Sequence, residues 1–160
     1  GRAELVVAGA EFALDFLSPG LSPAGPAAQR LGSLAPAGQE ALEEIRRPEL
    51  LLTRPRHLTK VVLFPVRFLF TAATGRVGTN HAAADHYLAD GAAPAARLVA
   101  AALAWRTAPP GDDRDAAELL ARELVPLYLH YIDDHTTRLV ELGRLDLAGA
   151  FERWGGALRG

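Results

Sequence analysis

The chain predicts an all-α protein, an up-and-down bundle of five to seven helices. Apolar residues recur at three- and four-residue spacing in one segment after another, and strict alternation never lasts more than a few residues. The stretch from His57 to Leu88, HLTKVVLFPVRFLFTAATGRVGTNHAAADHYL, reads as one almost wholly apolar helix, a glycine stop, a polar loop and a second, amphipathic helix. A helix with no broad polar side must be surrounded by others, so Leu58 to Thr74 is expected at the centre. A length of 160 residues suits one domain with a real core, large enough to fold without metal or disulfide staples.

Each element has its own signal. Residues 3 to 17 place Leu5, Val6, Ala10, Ala13, Leu14 and Leu17 on one face and Glu4, Glu11 and Asp15 on another. From Ser18 to Gly38, Pro19, Pro23, Pro26 and Pro36 alternate with four glycines, a density of breakers that predicts a loop. The expected organisation is therefore an N-terminal helix with its Pro/Gly-rich loop over 1–38 and the bundle over 39–160. Gln39 to Leu52 reads as a short helix, divided or ended by Pro48. In the central helix Pro65 should introduce a kink and Gly75 a stop. Thr79 or Asn80 can cap a helix over His81 to Asp90, with Ala83, Ala84, Tyr87 and Leu88 inside. A third helix covers Pro94 to Thr107. Asp112 or Asp113 can cap the longest one, Asp115 to Leu142, in which Leu120, Leu124, Leu127, Tyr128, Tyr131, Ile132, Leu139 and Leu142 keep helical spacing. Gly143 stops it, and Leu145 to Leu158 follows, expected to fray at Gly155 and Gly156.

Composition excludes several classes of function. No cysteine is present, which removes disulfides, thiolate metal sites and cysteine nucleophiles. With 17 Lys and Arg against 19 Asp and Glu, and no run of one sign, a nucleic-acid partner is not expected. No apolar run approaches the ~20 residues of a membrane span, and no basic, cleavable leader is recognisable. A cytoplasmic protein without a membrane partner is the expectation. The first residue is Gly1, as in a piece cut from something longer.

Few polar residues interrupt the central helix. Lys60, Arg67, Thr71 and Thr74 draw one narrow stripe along it, at spacings of 7, 4 and 3. Arg67 is expected to be buried and to tie helices together through Asp85, Asp133 or Asp134, because a lone buried guanidinium is costly. His81 and Asp85 share an outer face one turn apart, either as an edge for a cation or as a solvated surface. His130, Asp133, Asp134 and Thr137 lie on one side of the long helix. That face lacks a second histidine, since His135 turns away, and no metal is expected there. Asp134 and Arg138 suit an i to i+4 salt bridge, and Tyr128, Tyr131, Trp105 and Trp154 suit the core. Phe12 and Phe16 on the first helix could form an exposed patch.

The run RFLFTAATGRVGTNHAAAD, Arg67 to Asp85, resembles the helical C-terminal domain of the aminoglycoside adenylyltransferases that modify streptomycin and spectinomycin. Arg67, Phe70, Ala72, Thr74, Gly75, Arg76, Val77, Ala83, Ala84 and Asp85 fall on that family's pattern without a gap. The segment LYLHYIDDHTTRLV is similar to its closing helix, with His130 and Tyr131 on a His-Tyr pair. The resemblance implies a substrate-binding helical half that closes over a nucleotidyltransferase domain. Asp85 falls on a carboxylate that holds the antibiotic, and His81 stands where a second carboxylate would be, so the ligand need not be the same. An acidic rim of Asp85, Asp133 and Asp134 would face a cationic small molecule. Arg106 would face a phosphate if a catalytic half is present, and is otherwise a helix C-terminal cation. ATP and magnesium would be needed only with that half. The family's Gly-Ser and Asp-x-Asp are missing in context: Gly32-Ser33 lies among breakers, and Asp113 to Asp115 opens a helix. Catalysis by this chain alone is not expected. A catalytic domain is the partner this resemblance implies; the alternative is a helical interaction or self-association module with no small-molecule site, whose partner could be a second copy.

Overall fold

A computed structural model of the protein describes residues 1–17 and 43–160. It is all-α, as the periodicity predicts, and no strand occurs among the described residues. Six α-helices follow in order among the described residues: α1 (Arg2–Leu17), α2 (Pro55–Thr74), α3 (Asn80–Leu88), α4 (Ala96–Trp105), α5 (Arg114–Glu141) and α6 (Leu145–Arg159). Between α1 and α2, residues 43–46 form a helical turn and Pro48–Thr53 a 3-10 segment, which brings the helical elements among the described residues to eight, slightly more than the five to seven expected. Pro48 thus divides the short helix expected there, and the breaker-rich loop with the 38/39 boundary lies outside the described residues.

Helix α2 is the hub, in contact with α1, α3, α4, α5 and the 3-10 segment. Pro55 occupies its first turn, where a missing N–H costs nothing. Gly75 closes it in the left-handed conformation at φ 74°, its N–H donating to the Thr71 carbonyl at 2.8 Å. The helix runs through Pro65. Proline has no N–H for the carbonyl four residues earlier, that of Val61. A residue from another helix supplies the donor: the buried Tyr128 hydroxyl of α5 donates to the Val61 carbonyl at 2.6 Å. At the other end of α2, Arg138 of α5 donates to the Ala72 carbonyl at 3.3 Å, where helix carbonyls run out of internal partners.

The centre is less enclosed than an all-apolar helix implies. Phe64, Phe68 and Leu69 are only half-buried; Phe12 of α1 meets Phe64 and Phe68, and Phe68 also stacks on Tyr131 of α5 at 5.9 Å. Thr79 caps α3 by accepting from the Ala82 N–H at 3.0 Å. Ala83, Ala84 and Tyr87 face inward, whereas Leu88, expected with them, ends the helix at 36 % exposure. Asp113 caps α5 by accepting from the Asp115 N–H at 2.9 Å. The α5 stripe is buried as predicted except for Leu142, which sits exposed at the helix end before Gly143 turns the chain.

The pairing of α5 with α6 is the most extensive in the bundle. Trp154 and Phe151 of α6 pack edge-on against Tyr131, and Trp154 against Tyr128. Gly155 does not fray the helix. It is buried in this seam, where an added Cβ would stand 3.4 Å from Ile132 Cγ2, so the missing side chain permits close approach and packing overrides weak helix propensity. One core joins all six helices, and α1 enters it through Val6, Ala10, Ala13, Leu14 and Leu17. No helix among the described residues is long and apolar enough to cross a membrane.

Candidate functional site

The polar stripe of α2 opens onto a groove of about 410 Å³. Arg56, Lys60, Leu63 and Arg67 follow one another at four, three and four residues, which keeps them on one helix face. The opposite wall is Trp105 and Arg106 at the end of α4, and Asn80 from the first turn of α3 adds an amide. Four cations line the groove and no carboxylate does. Among the described residues none of the four forms an ion pair within 4 Å. Such a pocket suits an anion with a flat, apolar part: guanidinium forks grip phosphate or carboxylate oxygens, and a half-buried indole offers a ring face. Trp105, expected in the core, is thus a groove wall, because α4 ends there and leaves its ring half exposed.

Arg67 departs from expectation. It is half-buried and forms no pair with Asp85, Asp133 or Asp134; its guanidinium Nη2 donates instead to the Gly78 carbonyl at 3.3 Å. The loop after α2 folds back over the helix, so the backbone of Gly78 meets the arginine before any carboxylate can. Close packing there needs the glycine, since a Cβ on it would stand 2.4 Å from Phe70 Cε1.

The remaining predicted residues stay apart from the groove. Asp85 and His81 are exposed on the outer face of α3. His130 is half-buried, its ring edge-on to Tyr87 at 6.0 Å. Asp133 is exposed and meets Arg159 at 3.3 Å. Asp134 holds Arg138 at 2.9 Å, the predicted salt bridge, and lies 3.1 Å from His135 Nδ1 without meeting hydrogen-bond geometry. Burial pushes the Asp134 carboxyl up, but the imidazole of His135 and the guanidinium of Arg138 outweigh it and hold it below the usual range. The groove and three other cavities among the described residues are lined by none of His81, Asp85, His130, Asp133 or Asp134. Of the predicted site, the structure brings together Arg67 and Arg106.

Comparison with protein-family models, with curated proteins and with solved structures finds no match to this chain. The functional reading therefore stands on the residues and the groove. Arg56, Lys60 and Asn80 were missed as site residues. Lys60 and Arg67 already marked the stripe, and Arg56 continues it one turn earlier. The approach of α4, which brings Trp105 and Arg106 opposite, had no local sequence signal.

Proposed function

We propose that this chain is a small-molecule-binding helical domain of the aminoglycoside-nucleotidyltransferase type, and that it needs a separate catalytic domain, with ATP and magnesium, for any chemistry. The observation that carries this reading is the groove in which Arg106, the residue the resemblance offers to a phosphate, meets Arg56, Lys60 and Arg67. A triphosphate would be held by the cations, with its base against Trp105. A polycationic antibiotic is repelled from that groove, so its contact belongs to the carboxylate of Asp85, exposed on α3. His81 beside it offers no balancing charge when neutral.

Isothermal titration of the folded chain tests this with ATP plus magnesium, streptomycin and spectinomycin. ATP is expected to bind saturably, and Lys60→Gln with Arg106→Gln to weaken it at least tenfold, since a charge-assisted hydrogen bond contributes about 1.5–3 kcal/mol. Drug binding is expected to fall with Asp85→Asn while the melting temperature stays in place. Absence of heat with all three ligands overturns the reading in favour of an interaction module.

A further inference from the structure

A second cavity, of about 380 Å³, lies between α1 and α2. Its walls are apolar: Leu5, Ala8 and Gly9 from one helix, Phe64 and Phe68 from the other, with Phe12 across its end. Phe12 stacks on Phe16 with ring centroids 5.7 Å apart and meets Phe64 and Phe68 at 6.1 Å, so four phenylalanines form one continuous aromatic surface. Half of Phe12 is nonetheless exposed, which costs solvation free energy that a soluble fold ordinarily avoids by burial. Gly9 keeps the groove open: a Cβ there would already stand 3.2 Å from the Phe68 ring.

One charge faces this apolar space, the guanidinium of Arg67, which has no carboxylate partner among the described residues. Volume, aromatic lining and a single fixed polar group are the attributes of a small-molecule site, for which about 300–1,000 Å³ is usual. We infer that the cleft between α1 and α2 is a binding site for a small anionic amphiphile, with its hydrocarbon or aryl part against Phe12, Phe64 and Phe68 and its carboxylate or sulfonate on Arg67. A second copy of the chain fits less well. A symmetric contact through this face would oppose its cations, Arg67 here and Lys60 and Arg56 about two and three turns beyond, to their own images. A cationic or neutral amphiphile would leave the Arg67 charge desolvated and unpaired.

The test is titration calorimetry of the full chain with decanoate and with decyltrimethylammonium, both below their micelle concentrations. Decanoate is expected to bind once per chain and at least tenfold more tightly than the ammonium. Gly9→Leu and, as an exposed change that spares the core, Ala8→Trp should each weaken decanoate tenfold or more by filling the cleft. Arg67→Gln should bring the two amphiphiles within threefold of one another, while Lys60→Gln weakens ATP and leaves decanoate unaffected, which separates this site from the cationic groove. Equal affinity of the wild-type chain for both amphiphiles overturns the proposal, as does undiminished decanoate binding in Gly9→Leu and Ala8→Trp. Sedimentation that reveals a dimer dispersed by Phe12→Ser overturns it too, by giving the face to a second copy.

Discussion

Arg67 joins the two candidate sites, and what it touches decides what its loss costs. A guanidinium paired deep in a core leaves an uncompensated carboxylate when removed, at about 3–5 kcal/mol. Here the only acceptor among the described residues is the Gly78 carbonyl at 3.3 Å, and the side chain is half-buried. Arg67→Leu should therefore cost no more than about 1.5 kcal/mol in urea denaturation, and a loss of several kcal/mol would reinstate a buried ion pair. Asp134 is the opposite case, a carboxylate that does have partners. Because its folded pKa is depressed, it contributes stability above the unfolded value of about 3.9 and loses that contribution as pH falls through the folded value. Asp134→Asn should lower stability by about 1 kcal/mol at pH 7. The two proteins should converge as pH falls to about 2, a trend that acid titration of the urea midpoint follows.

At the scale of elements, Pro65 in the middle of the hub helix looks like a defect, and it is answered from outside the helix. Its missing N–H orphans the Val61 carbonyl, and Tyr128 of α5 donates to that oxygen across the core. Tyr128→Phe should cost about 1–3 kcal/mol by leaving the carbonyl buried without a donor. In the Pro65→Ala background the same change should cost much less, because the restored N–H of residue 65 takes over the acceptor. A double-mutant cycle measures this coupling, and additive effects would mean that the hydroxyl acts through packing alone. The caps around this helix were readable beforehand. Gly75 stands where it was expected, and Thr79 and Asp113 are each one of the two adjacent residues the sequence offered, Asn80 and Asp112 being the others, because local backbone geometry demands those residue types. Gly155 shows the limit of such reading, since its role is set by the distance to Ile132 on another helix. His135 lies between. It continues the α5 stripe four residues after Tyr131 and four before Leu139, and it is buried against Tyr131 and Phe151.

For the whole molecule, one core implies one transition. Leu14 of α1 is fully buried with residues from every other helix in the same cluster. Leu14→Ala should cost about 2–5 kcal/mol and shift the unfolding midpoints of helical circular dichroism and tryptophan fluorescence together. Separate midpoints would make α1 an appendage to an independent bundle. The sequence alone determined the all-α class, the central position of residues 58–74, the principal caps and the polar stripe of Lys60 and Arg67. Those features follow from a 3.6-residue period and from the backbone preferences of glycine, proline and short polar side chains, which act locally. Only the tertiary structure decided that Arg67 bonds a loop carbonyl instead of an acid, and that Trp105 and Arg106 face the stripe. It also decided that four phenylalanines meet between α1 and α2. Those outcomes depend on how helices far apart in sequence approach one another, and that is fixed by the filling of a shared core rather than by any segment's own pattern.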